Sequence, residues 1–114
     1  FYLERGARGV VVKLGPAGAF FATPHDRGQV AGVTVEHVVD TVGAGDGFAV
    51  GVISAMLEGM DIASAAARGN AIGARVVQFP GDCDGLPTRE ELEVFMARSR
   101  GRSPPQTNIR RNTA

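Results

Sequence analysis

Two acidic residues, Asp40 and Asp46, bracket the small residues Gly43, Ala44 and Gly45 in the stretch "VVDTVGAGDGFAVG". A strand that ends in a glycine-rich turn and enters a helix aims several backbone N–H groups, and the positive end of the helix dipole, at one point. Gly43, Ala44 and Gly45 put little side chain in the way, so the pattern predicts an anion pocket suited to phosphate oxygens. Asp46 falls at the helix start beside that pocket, where an isolated carboxylate, with a pKa of about 3.9, is ionised at neutral pH. A negative charge opposes phosphate binding and needs another reason to be there. Accepting the proton of a hydroxyl that attacks a terminal phosphorus is such a reason. Spacing argues against two other phosphate motifs. A Walker A loop needs a lysine after its glycines, and a dinucleotide fingerprint needs a glycine where Phe48 stands. A tight turn with a capping aspartate explains Gly43 and Asp46 separately, but not Asp40, Thr41 and the paired glycines together.

The flanking patterns supply the elements that must position this turn. "GVVVKLG", Gly9 to Gly15, reads as a strand buried on both faces, as in a parallel sheet. Pro16 to Gly18 supply turn residues and "AFFAT" a second strand, so a hairpin is expected. A third β-like segment, "GQVAGVTVEHVVDT", carries the chain to Asp40. After Asp46 the apolar period lengthens to about 3.6. Phe48, Val52, Ala55 and Met56 then share one helical face until Gly59. Asp61 is a competent N-cap for a second helix with Ile62, Ala65, Ala66, Gly69, Ile72, Gly73, Val76 and Phe79 on one stripe, ended by Pro80. Its small residues predict close approach to a neighbour. "PGDCDGLP" reads as a loop, and Thr88 with Glu91 as a capping box for a third helix bearing Leu92, Phe95 and Met96. From Ser99 the chain is polar, basic and without period, so the boundaries are residues 1–98 for the folded part and 99–114 for a disordered basic tail.

At 114 residues the chain has the size of one modest domain. It opens on Phe1 inside a stretch that reads like the middle of a protein, so a fragment or processed piece is expected. Twelve basic residues balance 12 acidic ones, which gives no argument for nucleic acid, a membrane surface or an acidic partner. No apolar stretch approaches the roughly 20 residues that span a bilayer. The single cysteine, Cys83, has no partner thiol and fits a reducing, cytoplasmic setting.

"DTVGAGD", Asp40 to Asp46, followed by "GFAVGVISAMLEG", resembles the C-terminal signature of the PfkB-type, or ribokinase-like, carbohydrate kinases. The resemblance runs from about Gly9 to about Met96. Within the family, "VVDTVGAGDGFAVGVISAMLEG" and "GDCDGLPTREEL" look most like the 2-ketogluconate and 2-keto-3-deoxygluconate kinases. The resemblance implies an α/β fold, here the C-terminal part of a ribokinase-like domain. The implied activity is transfer of the ATP γ-phosphoryl group to a hydroxyl of a sugar or keto-sugar acid. Asp46 would be the catalytic base, with the amides of Gly43, Ala44 and Gly45 as anion hole. Asp40 would help hold a monovalent cation, usually K+, with carbonyls from around Val42, Val76, Phe79 and Gly81. Gly85 stands where many relatives have a ligating serine, and a strand-end cap is the rival role for Asp40. The sugar-binding residues, the lid and an element associated with Mg2+ belong to the family's N-terminal portion. Rival readings are an inactive nucleotide-binding fragment and a related kinase acting on a nucleoside or fructose phosphate. The resemblance leaves room for a homodimer of the full-length parent.

Gly15 and Gly18 match the family loop that approaches the nucleotide phosphates, although a simple turn demands the same residues. Lys13 is placed to reach a phosphate or to lie solvated at a strand end. Asn70 matches a position from which relatives contact adenine or ribose, against the alternative of an exposed helix asparagine. His25 and His37 lack metal-ligand spacing, "GDCDG" lacks the remaining oxygen ligands of a calcium loop, and Met56, Met60 and Met96 read as core filler.

Overall fold

A computed structural model describes residues 1–81, 84–102 and 107–111. Four strands, β1 (Val10–Lys13), β2 (Ala19–Ala22), β3 (Asp26–Val30) and β4 (Thr107–Arg111), form one sheet in the order β1-β2-β3-β4. Three helices follow β3 in the chain: α1 (Ala44–Leu57), α2 (Ile62–Val76) and α3 (Arg89–Arg102). The expected hairpin is present, with Val11 opposite Phe21 and Lys13 opposite Ala19. Every pairing among the described residues is antiparallel, so the parallel neighbours expected for "GVVVKLG" are not found here. Val12 is correspondingly half exposed rather than buried, because the helices cover only one face of the sheet.

Side chains alternate across β2 and β3. Ala19, Phe21 and Val30 point into the core, where they meet Phe48, Val52 and Ala55 of α1 and Ala65 and Ala66 of α2. A second cluster joins Ala71, Ile72 and Val76 of α2 to Leu92 of α3, with Val33, Phe95 and Met96 against it. α1 and α2 run antiparallel, and glycines let their backbones meet. A β-carbon on Gly51 would stand 2.7 Å from the Gly69 Cα, and one on Gly69 would stand 3.0 Å from the Phe48 ring. The small-residue stripe thus does what its pattern predicts. The helix ends obey local rules. Asp61 accepts the Ser64 N–H at 2.7 Å. Thr88 and Glu91 exchange the two bonds of a capping box, at 3.0 and 3.2 Å. Gly59, with φ +81°, follows the end of α1.

Four further expectations are corrected. β3 begins at Asp26 and stops at Val30, so residues 31–43 reach α1 as an irregular segment and no strand delivers the chain to Asp40. The near-alternating valines mislead because Val33 turns to the α2–α3 cluster while Val38 and Val39 stay exposed. α2 ends at Val76, short of Phe79, as the last residues tighten into turns from Phe79 N to the Val76 carbonyl. Met56 and Met60 are exposed rather than core; only Met96 packs inward. The segment from Ser99 is not structureless: α3 continues to Arg102, and Thr107–Arg111 pairs with β3, Gly28 opposite Ile109. An open β3 edge offers unpaired backbone groups to which a strand can add. The reading of "GDCDG" rests partly on Asp82 and Cys83, which lie outside the described residues.

Candidate active site

The turn before α1 is built on Gly43, whose φ of +83° is the left-handed conformation that glycine adopts without strain. Gly43 is the N-cap residue, which places Ala44, Gly45 and Asp46 in the first helical turn. N–H groups at such a position have no acceptor within the helix. The Ala44 N–H turns back to the Thr41 carbonyl at 3.3 Å, a long bond, and Gly47 N–H bonds the Gly43 carbonyl at 2.9 Å. Asp46 is exposed, beside the positive end of the α1 dipole.

A cleft of about 680 Å³ opens next to this turn. Ala44 and Gly45 form part of its wall, and Lys13, Gly15, Gly18 and Asn70 line it as well. Residues from the end of β1, the hairpin turn, the start of α1 and the middle of α2 therefore meet at one opening, although 57 positions separate Lys13 from Asn70 (70 minus 13). Asp46 itself lies one residue beyond the wall. Lys13 links the sheet to the turn, since a β-carbon on Gly45 would meet its Nζ at 2.6 Å.

Gly18 is required by more than its turn. Its φ is +105°, and a β-carbon there would fall 1.9 Å from the Val30 carbonyl oxygen. Gly32 answers it from the other side, with a β-carbon position 2.2 Å from the Pro16 carbonyl oxygen. The hairpin turn therefore lies directly on the exit from β3, a contact that only the glycine in "VAGV" could have hinted at. Asn70 is buried, and its amide nitrogen donates to the Val30 and Ala31 carbonyls at 3.3 and 3.2 Å. Its Nδ2 is thus committed to holding the same β3 exit, which forms one side of the cleft.

Asp40 sits at the other side of the turn. Its carboxylate accepts the Val42 N–H at 2.9 Å and the Gly81 N–H at 3.2 Å, and these two bonds, Val42 first, hold its pKa below the usual carboxylate range. The backbone is stitched alongside, with the N–H groups of Val39 and Asp40 both donating to the Val77 carbonyl. Asp40, Val42 and Gly81 therefore come together, Phe79 lies on the same loop as Gly81, and Val76 is the last residue of α2. Gly85 is packed against Val76: a β-carbon would fall 2.6 Å from the Val76 Cα and 3.0 Å from its carbonyl oxygen, so a serine has no room. Sequence reasoning missed Arg75. Its guanidinium bonds the Gly85 carbonyl and, at 2.7 Å, Glu91, with the Phe79 ring centroid 4.9 Å away.

Comparison with known proteins gives the fold and the family. In solved structures the fold matches Arabidopsis thaliana ribokinase complexed with ribose and ATP, with a TM-score of 0.75 at 29% identity over 82% of this chain and 30% of that one. It also matches a candidate ribokinase II from E. coli in complex with ATP and Mg2+, with a TM-score of 0.80 at 34% identity over 85% and 31%. The architecture is that of the C-terminal part of a ribokinase-like kinase. Residues 2–89 match the pfkB family carbohydrate kinases, and the chain belongs to that family. A curated relative, Bacillus subtilis 2-dehydro-3-deoxygluconokinase, is 57% identical over 100 residues, which is 88% of this chain and 31% of the relative. The chain therefore spans about a third of the length of the relatives it matches.

Proposed function

We propose that this chain is the nucleotide-binding and phosphoryl-handling part of a kinase that moves the γ-phosphoryl group of ATP to a hydroxyl of a keto-sugar acid. The observation that carries the reading is the convergence of Lys13, Gly15, Gly18 and Asn70 on the cleft walled by Ala44 and Gly45. Its volume suits a ligand of nucleotide size. The N–H groups at the start of α1 and the Lys13 ammonium draw phosphate oxygens into the turn, which stabilises charge on the group in transit. Asp46 takes the proton of the acceptor hydroxyl as its oxygen attacks phosphorus, and ADP leaves from the opposite side. Mg2+, arriving with the nucleotide, would supply neutralising charge. The acceptor class follows the name of the relative at 57% identity.

The proposal includes a cytoplasmic setting, no nucleic-acid or membrane partner, and leaves room for a homodimer. Among the described residues no helix is long and apolar enough to cross a membrane. The test is a coupled ADP-release assay on the full-length kinase carrying this chain, with 2-dehydro-3-deoxygluconate, 2-ketogluconate, ribose, fructose, fructose phosphate and a nucleoside as acceptors. Highest kcat/KM on a keto-sugar acid is expected. Preference for a nucleoside or fructose phosphate would reassign the acceptor, and silence with all six would leave a nucleotide-binding role.

A further inference from the structure

The chain leaves the sheet at Val30 and runs irregularly to the turn at Gly43, and on the way Gly32, Val33, Thr34, Val35, Val38 and Thr41 line the cleft. A wall of this kind has no repeating ladder of backbone bonds and keeps one shape only where it is anchored. Three anchors tie it to α2. At its far end the carbonyl of Val77, the C-cap of α2, accepts the N–H groups of Val39 and Asp40 at 2.7 and 3.1 Å. In its middle Val33 packs against the cluster that holds Ala71, Ile72 and Val76. At its near end the anchor is one side chain. Asn70 is 8% exposed, and its Nδ2 donates to the Val30 carbonyl at 3.3 Å and the Ala31 carbonyl at 3.2 Å, across 40 and 39 positions of sequence.

The two carbonyls also fix which way round the amide stands. Turned over, Oδ1 would face two acceptor oxygens and no donor. Nδ2 carries two hydrogens and meets two carbonyl acceptors, so it is matched without a ligand. From the opposite side the hairpin turn presses on the same stretch: a β-carbon at Gly18 would overlap the Val30 carbonyl oxygen, and one at Gly32 the Pro16 carbonyl oxygen. We propose that Asn70 is a positioning residue for nucleotide binding: its amide pins the point where the chain leaves the sheet, so that residues 32–38 stand as a fixed wall of the cleft, and its Nδ2 gives the nucleotide no hydrogen bond. The inference rests on the nucleotide-binding part of the reading above and deepens it.

The test uses the full-length kinase carrying this chain, as wild type, Asn70→Leu, which keeps the bulk and loses the donor, and Asn70→Ser, which is too short to reach both carbonyls. Isothermal titration without acceptor sugar measures Kd for ATP and for analogues that each lack one acceptor atom: 1-deaza-ATP, 3-deaza-ATP, 7-deaza-ATP and 2′-deoxy-ATP. Amide hydrogen exchange, read by mass spectrometry on the nucleotide-free proteins, reports on the wall itself. Both substitutions should weaken ATP binding about tenfold, the scale of two lost hydrogen bonds, and by the same factor with every analogue, because no ligand atom is the partner of Nδ2. Exchange over residues 31–39 should quicken severalfold while α1 keeps its wild-type rates. A loss that vanishes with one analogue would make Asn70 a direct nucleotide contact and overturn the proposal. So would unchanged exchange over residues 31–39, or a lower Tm with unchanged Kd, which marks a structural role alone. Should Asn70→Leu fail to fold, Asn70→Ser decides by the same measurements. A wild type that binds ATP but transfers to no acceptor would sink the phosphotransfer reading and leave this proposal to the binding and exchange data; one that binds no ATP would overturn both.

Discussion

The ammonium of Lys13, at the end of β1, lies against Gly45 in the first turn of α1, so close that a β-carbon on Gly45 would stand 2.6 Å from Nζ. A positive side chain is thus brought onto the turn whose Ala44 and Gly45 line the cleft. Lys13→Ala in the full-length kinase should weaken ATP binding about tenfold or more, since a hydrogen bond to a charged group contributes about 1.5–3 kcal/mol. Isothermal titration with a non-hydrolysable ATP analogue measures it, and an unchanged Kd would leave Lys13 solvated. Gly45→Val should damage transfer more severely, because a branched side chain enters the pocket itself.

Asp46 is exposed at the helix start, one residue from the cleft wall. Asp46→Asn should lower kcat by about a hundredfold or more while ATP binding stays nearly intact, the usual contribution of a general base being 10²–10⁴-fold. Steady-state kinetics at saturating ATP read this out. Near wild-type turnover in the variant would remove Asp46 from its role.

The crossing of α1 and α2 is where the fold tolerates least. A β-carbon at Gly51 meets the Gly69 Cα at 2.7 Å and its nitrogen at 2.8 Å, both backbone atoms that cannot swing aside. Gly51→Ala should cost about 1–3 kcal/mol by forcing the helices apart, despite the better helix propensity of alanine. Denaturant unfolding of the full-length kinase gives the value. A stabilised variant would mean that the helices sit further apart than described.

Acid should loosen the site from the Asp40 side. The pKa of Asp40 is lowered by the N–H groups of Val42 and Gly81, that of Asp61 by Ser64, that of Glu91 by Thr88, and that of Glu58 by Arg68 and Arg89. A carboxylate with a depressed folded pKa contributes stability that is fully present above its unfolded pKa and is lost as pH falls through the folded value. Tm should therefore hold from neutral pH down to about pH 5 and drop below about pH 4, where ordinary carboxylates protonate. Asp40→Asn should begin lower at neutral pH and show a shallower acid drop. Parallel curves from the same starting Tm would show that the two amide bonds carry no linkage.

The 114 residues expressed alone should phosphorylate none of the six acceptors. Phosphoryl transfer depends on holding the acceptor in line with phosphorus, and the chain matches only 31% of the length of its Bacillus subtilis relative. Val50, Ile53 and Leu57 form an exposed apolar stripe on α1, with Leu57 83% exposed, which should also make the isolated chain prone to associate. Robust turnover by a monomeric, cooperatively melting 114-residue protein would contradict both parts of this expectation.

The sequence by itself determined the features that depend on neighbours within about four positions. The Asp61 and Thr88–Glu91 caps, the left-handed Gly43 and the apolar faces of α1 and α2 needed no distant partner, because each is a local hydrogen bond, a backbone constraint or a periodicity. The motif at Asp40 to Asp46 was legible for the same reason. Tertiary structure alone decided the rest. The valines at 33, 35, 38 and 39 alternate like a strand, but among the described residues no neighbouring strand pairs with them, and Val33, Val35 and Val38 form an irregular wall of the cleft. By sequence Asn70 reads either as a nucleotide contact or as an exposed helix asparagine, and only the tertiary structure shows it buried against β3 with its Nδ2 on the Val30 and Ala31 carbonyls. Arg75 carried no signal at all, because an arginine near a helix end is ordinarily a solvated one. Its contacts with Phe79, Gly85 and Glu91 exist only because the loop after α2 folds back over the helix end and α3 lands beside it, where the guanidinium is largely shielded from water.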